Sequence, residues 1–258
     1  MITKSPRRLA LDGNAVVKEA LRRVELPSRR LFLQRSITLG GLSLLTGCAI
    51  SDEAGVERAL MTVSRFNDKV QAWLFDPNRL APTYPESMIT RPFPFNAFYG
   101  EDEIRRVDAH DYRLEVTGMV ADKRAWTLAQ LRALPQTDQI TRHICVEGWS
   151  AIGKWGGVTF SSFLARIGAD TSARYVGFKC ADDYYTSIDM PTALHPQTLL
   201  TLSWDGRTLP PRYGFPMKLR IPTKLGYKNP KHIQAIFVTN VYPGGYWEDQ
   251  GYNWFGGS

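Results

Sequence analysis

Cysteine is scarce in this sequence, whose 258 residues contain only Cys48, Cys145 and Cys180. Three cysteines are too few for a disulfide-stapled scaffold, and the chain is long enough to bury an ordinary hydrophobic core. The sequence also has no internal repeat and no phosphate-loop, dinucleotide-binding or zinc-finger spacing. Each cysteine therefore needs its own explanation, as a ligand, a nucleophile, half of a disulfide or a lipid attachment point.

The uncharged apolar segment at 37–46 is far too short to span a bilayer as a helix. It follows Ser-Arg-Arg-Leu-Phe-Leu at 28–33, which resembles the twin-arginine export motif. It ends in Leu-Thr-Gly-Cys, which looks like a bacterial lipobox with Cys48 as the acylated residue. We expect residues 1–47 to be a signal peptide and the mature protein to be periplasmic and lipid-anchored. The alternative is an ordinary cleaved signal in which Cys48 is incidental.

Positive charge is concentrated in the leader. The formal net charge is +7, but residues 1–35 hold nine Lys/Arg and three Asp/Glu. The remaining chain has 23 basic and 22 acidic residues, a surplus of one. The basic balance thus gives no support to a nucleic-acid partner.

The remaining chain has an α+β pattern. Residues 51–75 have the spacing of an amphipathic helix, and the five prolines between 76 and 96 predict an extended connector. Further along, short alternating strands are interspersed with short helices, for example Leu128–Leu134 after the capping Thr127. This arrangement favours mixed β-sheets with short helices over a doubly wound parallel fold.

The stretch around Cys145 is the first candidate site. Read as a strand, it places Ile140, Ile144 and Val146 on one face, and on the opposite face Thr141, His143, Cys145 and Glu147. A buried strand has no packing reason to align a thiol, an imidazole and a carboxylate. The Gly148-Trp149 break would leave the thiol near an opening.

Carboxylates are absent between Asp205 and Glu248. The intervening stretch carries one histidine, His232, and seven cations: Arg207, Arg212, Lys218, Arg220, Lys224, Lys228 and Lys231. Such a run is either a solvated basic face or a pocket for an anionic ligand. The loop from Gly226 to Lys231 is the best candidate for the pocket, because glycine lets backbone approach a phosphate.

A soft thiolate ligand together with an anion-binding loop is what a molybdenum–pyranopterin centre requires. The chain resembles the sulfite oxidase superfamily of molybdopterin-binding oxidoreductases, most closely the bacterial periplasmic branch that includes the catalytic subunit of methionine-sulfoxide reductase. Four segments carry the resemblance in order: Asn96–Tyr99, Arg142–Trp149, Leu194–Pro211 and Gly226–Lys231. The resemblance implies a sulfite-oxidase-type fold and a molybdenum–molybdopterin cofactor.

By this resemblance, Cys145 is the protein ligand to molybdenum, and Asn96, Phe98 and Tyr99 lie against the pterin near the metal. Asn229 and Lys231 correspond to the phosphate end of the cofactor, in the loop that contains Gly226 and Lys228. Three further positions match cofactor contacts in relatives but carry other residue types: Cys180, Tyr213 and Lys218. Lys218 stands where relatives commonly have arginine, which keeps the charge and loses the bidentate fork.

Glu147 is a candidate catalytic residue together with Cys145 and Asn96. It can orient a metal ligand or relay a proton, or instead form a salt bridge with an arginine. His143 is expected to be structural. A zinc site built from His143, Cys145 and His195 or His232 lacks the usual ligand spacing.

The sequence thus predicts residues 48–90 as helix and connector, and 91–258 as a molybdopterin-binding catalytic domain with an aromatic tail. We expect a monomeric oxidoreductase acting on a small oxygen-bearing substrate such as a sulfoxide, an N-oxide or sulfite. Its electrons would be exchanged with a separate carrier, such as a membrane cytochrome. The alternatives are a periplasmic binding or assembly lipoprotein without metal, and a hydrolase with Cys145 as nucleophile.

Overall fold

The computed structural model describes residues 53–258. The predicted signal peptide and the acylation site at Cys48 lie outside the described residues. From Leu60 to Ser258 the chain forms one compact unit. Within the described range, no helix has the length and apolar character needed to cross a membrane.

Four α-helices are present in the described range: α1 (Glu53–Leu74), α2 (Leu128–Arg132), α3 (Phe160–Arg166) and α4 (Met190–Leu194). The strands are β1 (Arg113–Gly118), β2 (Trp126–Thr127), β3 (Thr137–Ile144), β4 (Ser150–Thr159), β5 (Tyr175–Cys180), β6 (Tyr185–Asp189), β7 (Leu199–Trp204), β8 (Arg207–Thr208), β9 (Lys218–Arg220) and β10 (Ile233–Thr239). Only α1 exceeds two turns, which agrees with the prediction of short helices after residue 90.

The strands form two five-stranded sheets. One has the order β2-β1-β10-β5-β6, in which β1 and β10 are parallel and the other pairs antiparallel. The other has the order β3-β4-β7-β8, with β9 also paired to β7. This mixed arrangement with short helices confirms the predicted fold class.

The main core takes its side chains from both sheets and from the short helices. Its fully buried members include Leu114 in β1, Phe160 and Phe163 in α3, Phe178 in β5 and Leu219 in β9. Because β9 belongs to this core, the lysine and arginine at its ends, Lys218 and Arg220, are also buried. Packing thus forces two cations into the interior.

The strand β4 was not foreseen. Its glycines at 153, 156 and 157 lower strand propensity, and the break at Gly148 suggested that regular structure would end there. In the fold these glycines allow close approach of neighbours: a Cβ on Gly157 would lie 2.0 Å from the Leu200 carbonyl oxygen. β4 pairs with β3 over eight positions, so Cys145 lies in the turn between two hydrogen-bonded strands.

Candidate active site

Cys145 lies at the first position after β3, in the turn that joins β3 to β4. Its backbone N–H donates to the Trp149 carbonyl at 2.9 Å, and Gly148 N–H donates to the Cys145 carbonyl at 3.2 Å. The prediction that the strand continues through Glu147 was wrong, because Gly148 adopts a positive φ of 91° and closes the turn. The chain reversal leaves Glu147 exposed while Cys145 stays buried.

The polar face of β3 points into the protein. Thr141 and His143 are buried with Cys145, whereas Val146, on the predicted apolar face, is exposed. Because burial of polar side chains costs free energy unless they find partners, the groups around these three side chains have to be identified.

The thiol opens into a cavity of about 120 Å³. Eight of the predicted site residues line it: Asn96, Phe98, Tyr99, Cys145, Glu147, Gly226, Asn229 and Lys231. Segments separated by more than a hundred residues thus meet at one opening. Trp247 and Tyr252 from the aromatic tail form part of its wall.

Two polar side chains contact the thiol. Asn96 Nδ2 lies 3.3 Å from Cys145 Sγ, and Glu147 Oε2 lies 3.5 Å from it. Trp149 Nε1 donates to the same Glu147 oxygen at 3.0 Å, so this carboxylate is held by the indole and the thiol instead of an arginine. The amide of Asn96 is placed to stabilise a thiolate, and the carboxylate to exchange a proton.

Burial raises the pKa of the Cys145 thiol, and the neighbouring Glu147 carboxylate raises it further, against the lowering effect of the Asn96 amide. A cysteine nucleophile requires the opposite shift, usually through a nearby histidine. No histidine of the part that the structure describes hydrogen-bonds this thiol. A metal cation at the sulfur would supply the missing positive charge.

A group of buried basic side chains lies next to the cavity. We call it the open cluster: Lys218, Arg220, Lys231, His143 and His232. None of its three cations forms an ion pair with a carboxylate within residues 53–258. Lys218 instead lies over the Trp155 ring, 5.1 Å from its centroid, and Lys231 over the Phe95 ring at 4.6 Å.

The charge of the open cluster is only weakly compensated, because no carboxylate of the described residues forms an ion pair with it. Burial and the nearby cations hold the pKa of Lys218 and of His143 well below their usual values. Burial also lowers the pKa of Lys231 to about 8, although Asp182 opposes that effect. Buried charges of one sign are costly unless a counter-charge joins them, so this cluster is suited to an anionic group.

Orphaned polar atoms support the same conclusion. Both ring nitrogens of His143, Nε2 of His232 and Nε of Arg220 are buried without a hydrogen-bond partner among the described residues. Gly226 leaves open the space in front of His143, since a Cβ there would lie 2.8 Å from Nε2. Buried polar atoms in folded proteins are rarely left unpaired, so these atoms are available to a bound group.

Four predicted cofactor residues do not line the cavity. Lys228 forms a buried ion pair with Glu248, because the carboxylate that ends the basic run folds back onto it. Tyr213 donates to the Phe93 carbonyl at 2.9 Å, and Cys180 is packed in the core at the end of β5. Lys218 is buried in the open cluster and does not reach the cavity wall.

Cys145 and Cys180 are both free thiols, which excludes the disulfide between them as a feature of this structure. The described residues also contain no group of three or more His, Cys, Asp or Glu side chains that could hold a metal ion. The zinc alternative therefore has no ligand set in that part of the chain.

Sequence reasoning missed two participants. Arg220 reaches Asn229 Oδ1 and Thr141 Oγ1 and thereby links β9 to the loop and to β3. His143 was assigned a structural role, but its unpaired nitrogens face the Gly226 gap. The sequence did carry a signal for Arg220: it follows Leu219 in a short alternating segment inside the carboxylate-free run, which is typical of a strand.

The family profile described as oxidoreductase molybdopterin binding domain matches residues 101–247. The chain belongs to this family. It is a molybdenum-cofactor-dependent oxidoreductase, and the suspected membership of the sulfite oxidase superfamily is confirmed.

Relatives agree with this membership. The chain is 73% identical, over the full length of both proteins, to a protein of Azospira oryzae named "Putative protein-methionine-sulfoxide reductase subunit YedZ1". It is 29% identical to the protein-methionine-sulfoxide reductase catalytic subunit MsrP of Ralstonia nicotianae, over 90% of this chain and 76% of that protein. The MsrP protein of Burkholderia mallei is 26% identical over 99% of this chain and 83% of its own length.

A solved structure shares the fold. The sulfane dehydrogenase SoxCD of Paracoccus pantotrophus superposes with a TM-score of 0.50 at 19% identity, over 54% of this chain and 40% of that one. The chain thus spans less than half of that neighbour, and the likeness concerns fold alone.

The residues of the cavity fit a molybdopterin-binding oxidoreductase. Cys145 offers the one sulfur ligand at the opening, and the open cluster offers positive charge and free donors for the anionic part of the cofactor. Asn229 is already committed to Arg220 and to the Ile221 N–H, so it shapes the loop and leaves Lys231 to face the anion.

Proposed function

We propose that this protein is an exported, lipid-anchored reductase that acts on sulfoxides, with protein-bound methionine sulfoxide as its substrate. The observation that carries the proposal is a buried thiol at an aromatic-walled opening, backed by a buried cationic cluster that forms no ion pair with a carboxylate of the described residues. The names of the relatives, at up to 73% identity, support the choice of sulfoxide over N-oxide or sulfite.

Reduction of a sulfoxide consumes two electrons and two protons, breaks the S–O bond and releases a thioether and water. The molybdenum cofactor supplies two-electron redox chemistry when it is bound at Cys145. The electrons come from a separate reduced carrier, for which a membrane cytochrome is the expected class. The protein itself must bind the substrate, position Cys145 as the metal ligand and provide a path for protons.

Aromatic side chains define the substrate side of the opening. Phe98 contacts Tyr246 at a ring-centroid distance of 4.6 Å, and Trp247 contacts Tyr252 at 5.0 Å. Aromatic rings make favourable contacts with the sulfur and methyl groups of methionine-like side chains. Because the opening faces outward beside exposed Val146 and Phe98, a side chain presented on another protein can reach it.

Glu147 is the proton-transferring group in this proposal. Its carboxylate is exposed and so exchanges protons with water, yet one oxygen lies 3.5 Å from Sγ. The Trp149 indole fixes that oxygen. A carboxyl group so placed can deliver a proton to an oxygen leaving beside the thiol.

Metal analysis of purified protein tests the proposal. We expect about one molybdenum per chain, lost in Cys145→Ser and retained in Cys180→Ser, which changes the other buried thiol and serves as the matched control. Preparations free of metal and pterin from a molybdenum-replete host would refute the enzyme and favour the binding lipoprotein.

The substrate is tested separately with a reduced artificial electron donor. Methionine sulfoxide in a peptide should be turned over faster than trimethylamine N-oxide, and sulfite should not be oxidised with an artificial acceptor. A preference for sulfite or an N-oxide would contradict the sulfoxide assignment and leave the molybdenum centre intact. Mass spectrometry of the mature N-terminus tests the anchor: Cys48 without acyl mass would exclude it.

A further inference from the structure

The longest helix of the fold presents its apolar side to the outside. Leu60, Val63, Phe66, Trp73 and Leu74 of α1 follow one another at steps of three, seven and one residues, which places them along one side of a helix. All are exposed, and Trp73 has 82% of its surface accessible. An ordinary surface helix buries its apolar stripe against the core.

The inward side of α1 is held by other residues. Asp68 Oδ1 accepts from the Phe255 N–H at 3.0 Å, and the Phe75 ring, just past the helix end, lies 5.5 Å from the Phe255 ring. These contacts fix the rotation of the helix about its axis. The apolar stripe therefore cannot be the side that packs on this domain.

Charge on α1 matches an anionic lipid surface. Arg65 and Lys69 lie one turn apart and border the apolar stripe, next to Phe66. Asp68, the acidic residue of this part of the helix, is turned inward to Phe255. Basic residues that flank a stripe with Trp, Phe and Leu are typical of helices that lie in the plane of a bilayer surface.

The apolar surface continues beyond the helix. Leu74 and exposed Leu80 line a groove of about 560 Å³, whose wall also carries Arg79 and Arg142. Apolar side chains beside two arginines repeat the chemistry of the helix stripe. The region thus offers one extended face of the same character.

Membrane attachment of the chain that precedes α1 would bring this face to a bilayer. The uncharged apolar segment at 37–46 lies only a few residues before Glu53, and Cys48 lies between them. Five residues of extended chain reach about 17 Å at most, so any attachment of the leader or of Cys48 to lipid keeps α1 next to the bilayer.

We propose that α1 lies flat on the bilayer surface, with its stripe of Leu60, Val63, Phe66, Trp73 and Leu74 among the acyl chains and Arg65 and Lys69 at anionic headgroups. The helix then acts as a second membrane contact in addition to the leader or a lipid at Cys48. This contact does not depend on acylation or on the molybdenum chemistry. It holds the rest of the domain in one orientation on the membrane.

The test uses the full-length holoprotein in a Cys48→Ser background, with an environment-sensitive nitrobenzoxadiazole (NBD) label on an added cysteine. Val63→Cys probes the stripe, and Val241→Cys is the matched control, because Val241 is an exposed valine outside α1. With vesicles of phosphatidylethanolamine and phosphatidylglycerol, the Val63 label should shift to the blue and be quenched by doxyl lipids. The Val241 label should remain accessible to iodide in water.

A Val63 label that stays accessible to iodide with vesicles present would overturn the proposal, whether or not the protein floats with them. Protection without vesicles that increases with protein concentration would also overturn it and identify a second copy of the chain as the occupant.

A second measurement uses flotation. Replacement of both Arg65 and Lys69 by glutamine should weaken binding to anionic vesicles by about fivefold per charge and leave binding to phosphatidylcholine unchanged. Phe66→Ser with Trp73→Ser should weaken binding to both vesicle types by about tenfold or more, whereas Tyr242→Ser should not. Equal binding by all these variants would refute the stripe as the contact.

Discussion

Two groups of buried cations from the same carboxylate-free run have opposite environments. The closed cluster consists of Lys228, which forms a buried ion pair with Glu248, and Lys224, whose Nζ lies 2.8 Å from the centroid of the Phe255 ring. The open cluster around Lys218, Arg220 and Lys231 has no such counter-charge in the described residues. Sequence spacing does not distinguish the two clusters, because the carboxylate that pairs with Lys228 belongs to Glu248 in the tail.

The comparison shows how a binding site can be distinguished from a structural ion pair. Lys228 and Lys231 lie three residues apart in one loop, and both are buried. Lys228 stabilises the tail, whereas Lys231 lines the cavity. A buried cation is therefore informative about a ligand only when its partners are known.

Lys228→Met should have the largest effect on stability. It leaves the buried carboxylate of Glu248 without its partner, so the free energy of unfolding should fall by about 3–5 kcal/mol. Chemical denaturation measures it, and the double variant Lys228→Met/Glu248→Leu should recover most of the loss. Near-wild-type stability combined with loss of molybdenum would place Lys228 in the cofactor site instead.

Lys218→Met should change the free energy of unfolding in the opposite direction in the cofactor-free protein. Removal of an uncompensated buried charge should raise the free energy of unfolding by about 1–3 kcal/mol. The same substitution should lower the molybdenum content of the purified protein by about tenfold or more. Destabilisation of the cofactor-free form would show that Lys218 has an internal partner and would end the distinction between the clusters.

Gly226→Ala should affect the cofactor more than the fold. The added Cβ would lie 2.8 Å from His143 Nε2 and 3.4 Å from Asn96 Nδ2, in the gap beside the open cluster. We expect destabilisation of about 1 kcal/mol and a clear loss of bound pterin, measured by fluorescence of the released form. Gly257→Ala, whose Cβ would meet the Phe255 ring at 3.3 Å, is the control and should retain pterin.

The smallest effect is a pH dependence. Lys231 has a folded pKa of about 8, below its unfolded value, so from about pH 8 upward the unfolded chain binds more protons and stability rises with pH. Between pH 8 and 9 its share is roughly 1 kcal/mol in the cofactor-free protein. Lys231→Met should remove that share.

Lys224, with its pKa lowered by burial to about 7, contributes a similar rise. In the cofactor-loaded protein, the contribution of Lys231 to the rise of stability with pH should vanish and that of Lys224 should persist. Lys224→Met should remove the contribution that persists. A pH dependence that is identical with and without cofactor would mean that no anion joins Lys231.

Much of the fold follows from local sequence signals. Thr127 caps α2 by accepting from the Gln130 N–H, as its position predicts, and Asp205-Gly206 turns β7 into β8. The strand β4 did not follow, because its glycines are required by neighbours distant in sequence. Local propensity carries no information about such close approaches.

The sequence predicted which residues meet at the cavity better than it predicted the electrostatics of the site. Cys145, Asn96 and Lys231 meet as the resemblance implied, and their roles toward the cofactor remain predictions. The pairing of Lys228 with Glu248 and the burial of Arg220 depend on tertiary packing. The aromatic tail contributes both to the cavity wall and to this ion pair.

The parallel pairing of β1 with β10 has a consequence for the order of events during synthesis. Glu115 is in register with Ala235, so this sheet closes only after more than a hundred further residues have been made. Residues 226–231 of the cavity directly precede β10. A ribosome-bound chain can form the β3–β4 hairpin and present Cys145 while Lys218 and Lys231 have not yet been added. We therefore expect the cofactor to bind only when the chain is nearly complete. If the protein is exported as proposed, the export route has to accept it already folded.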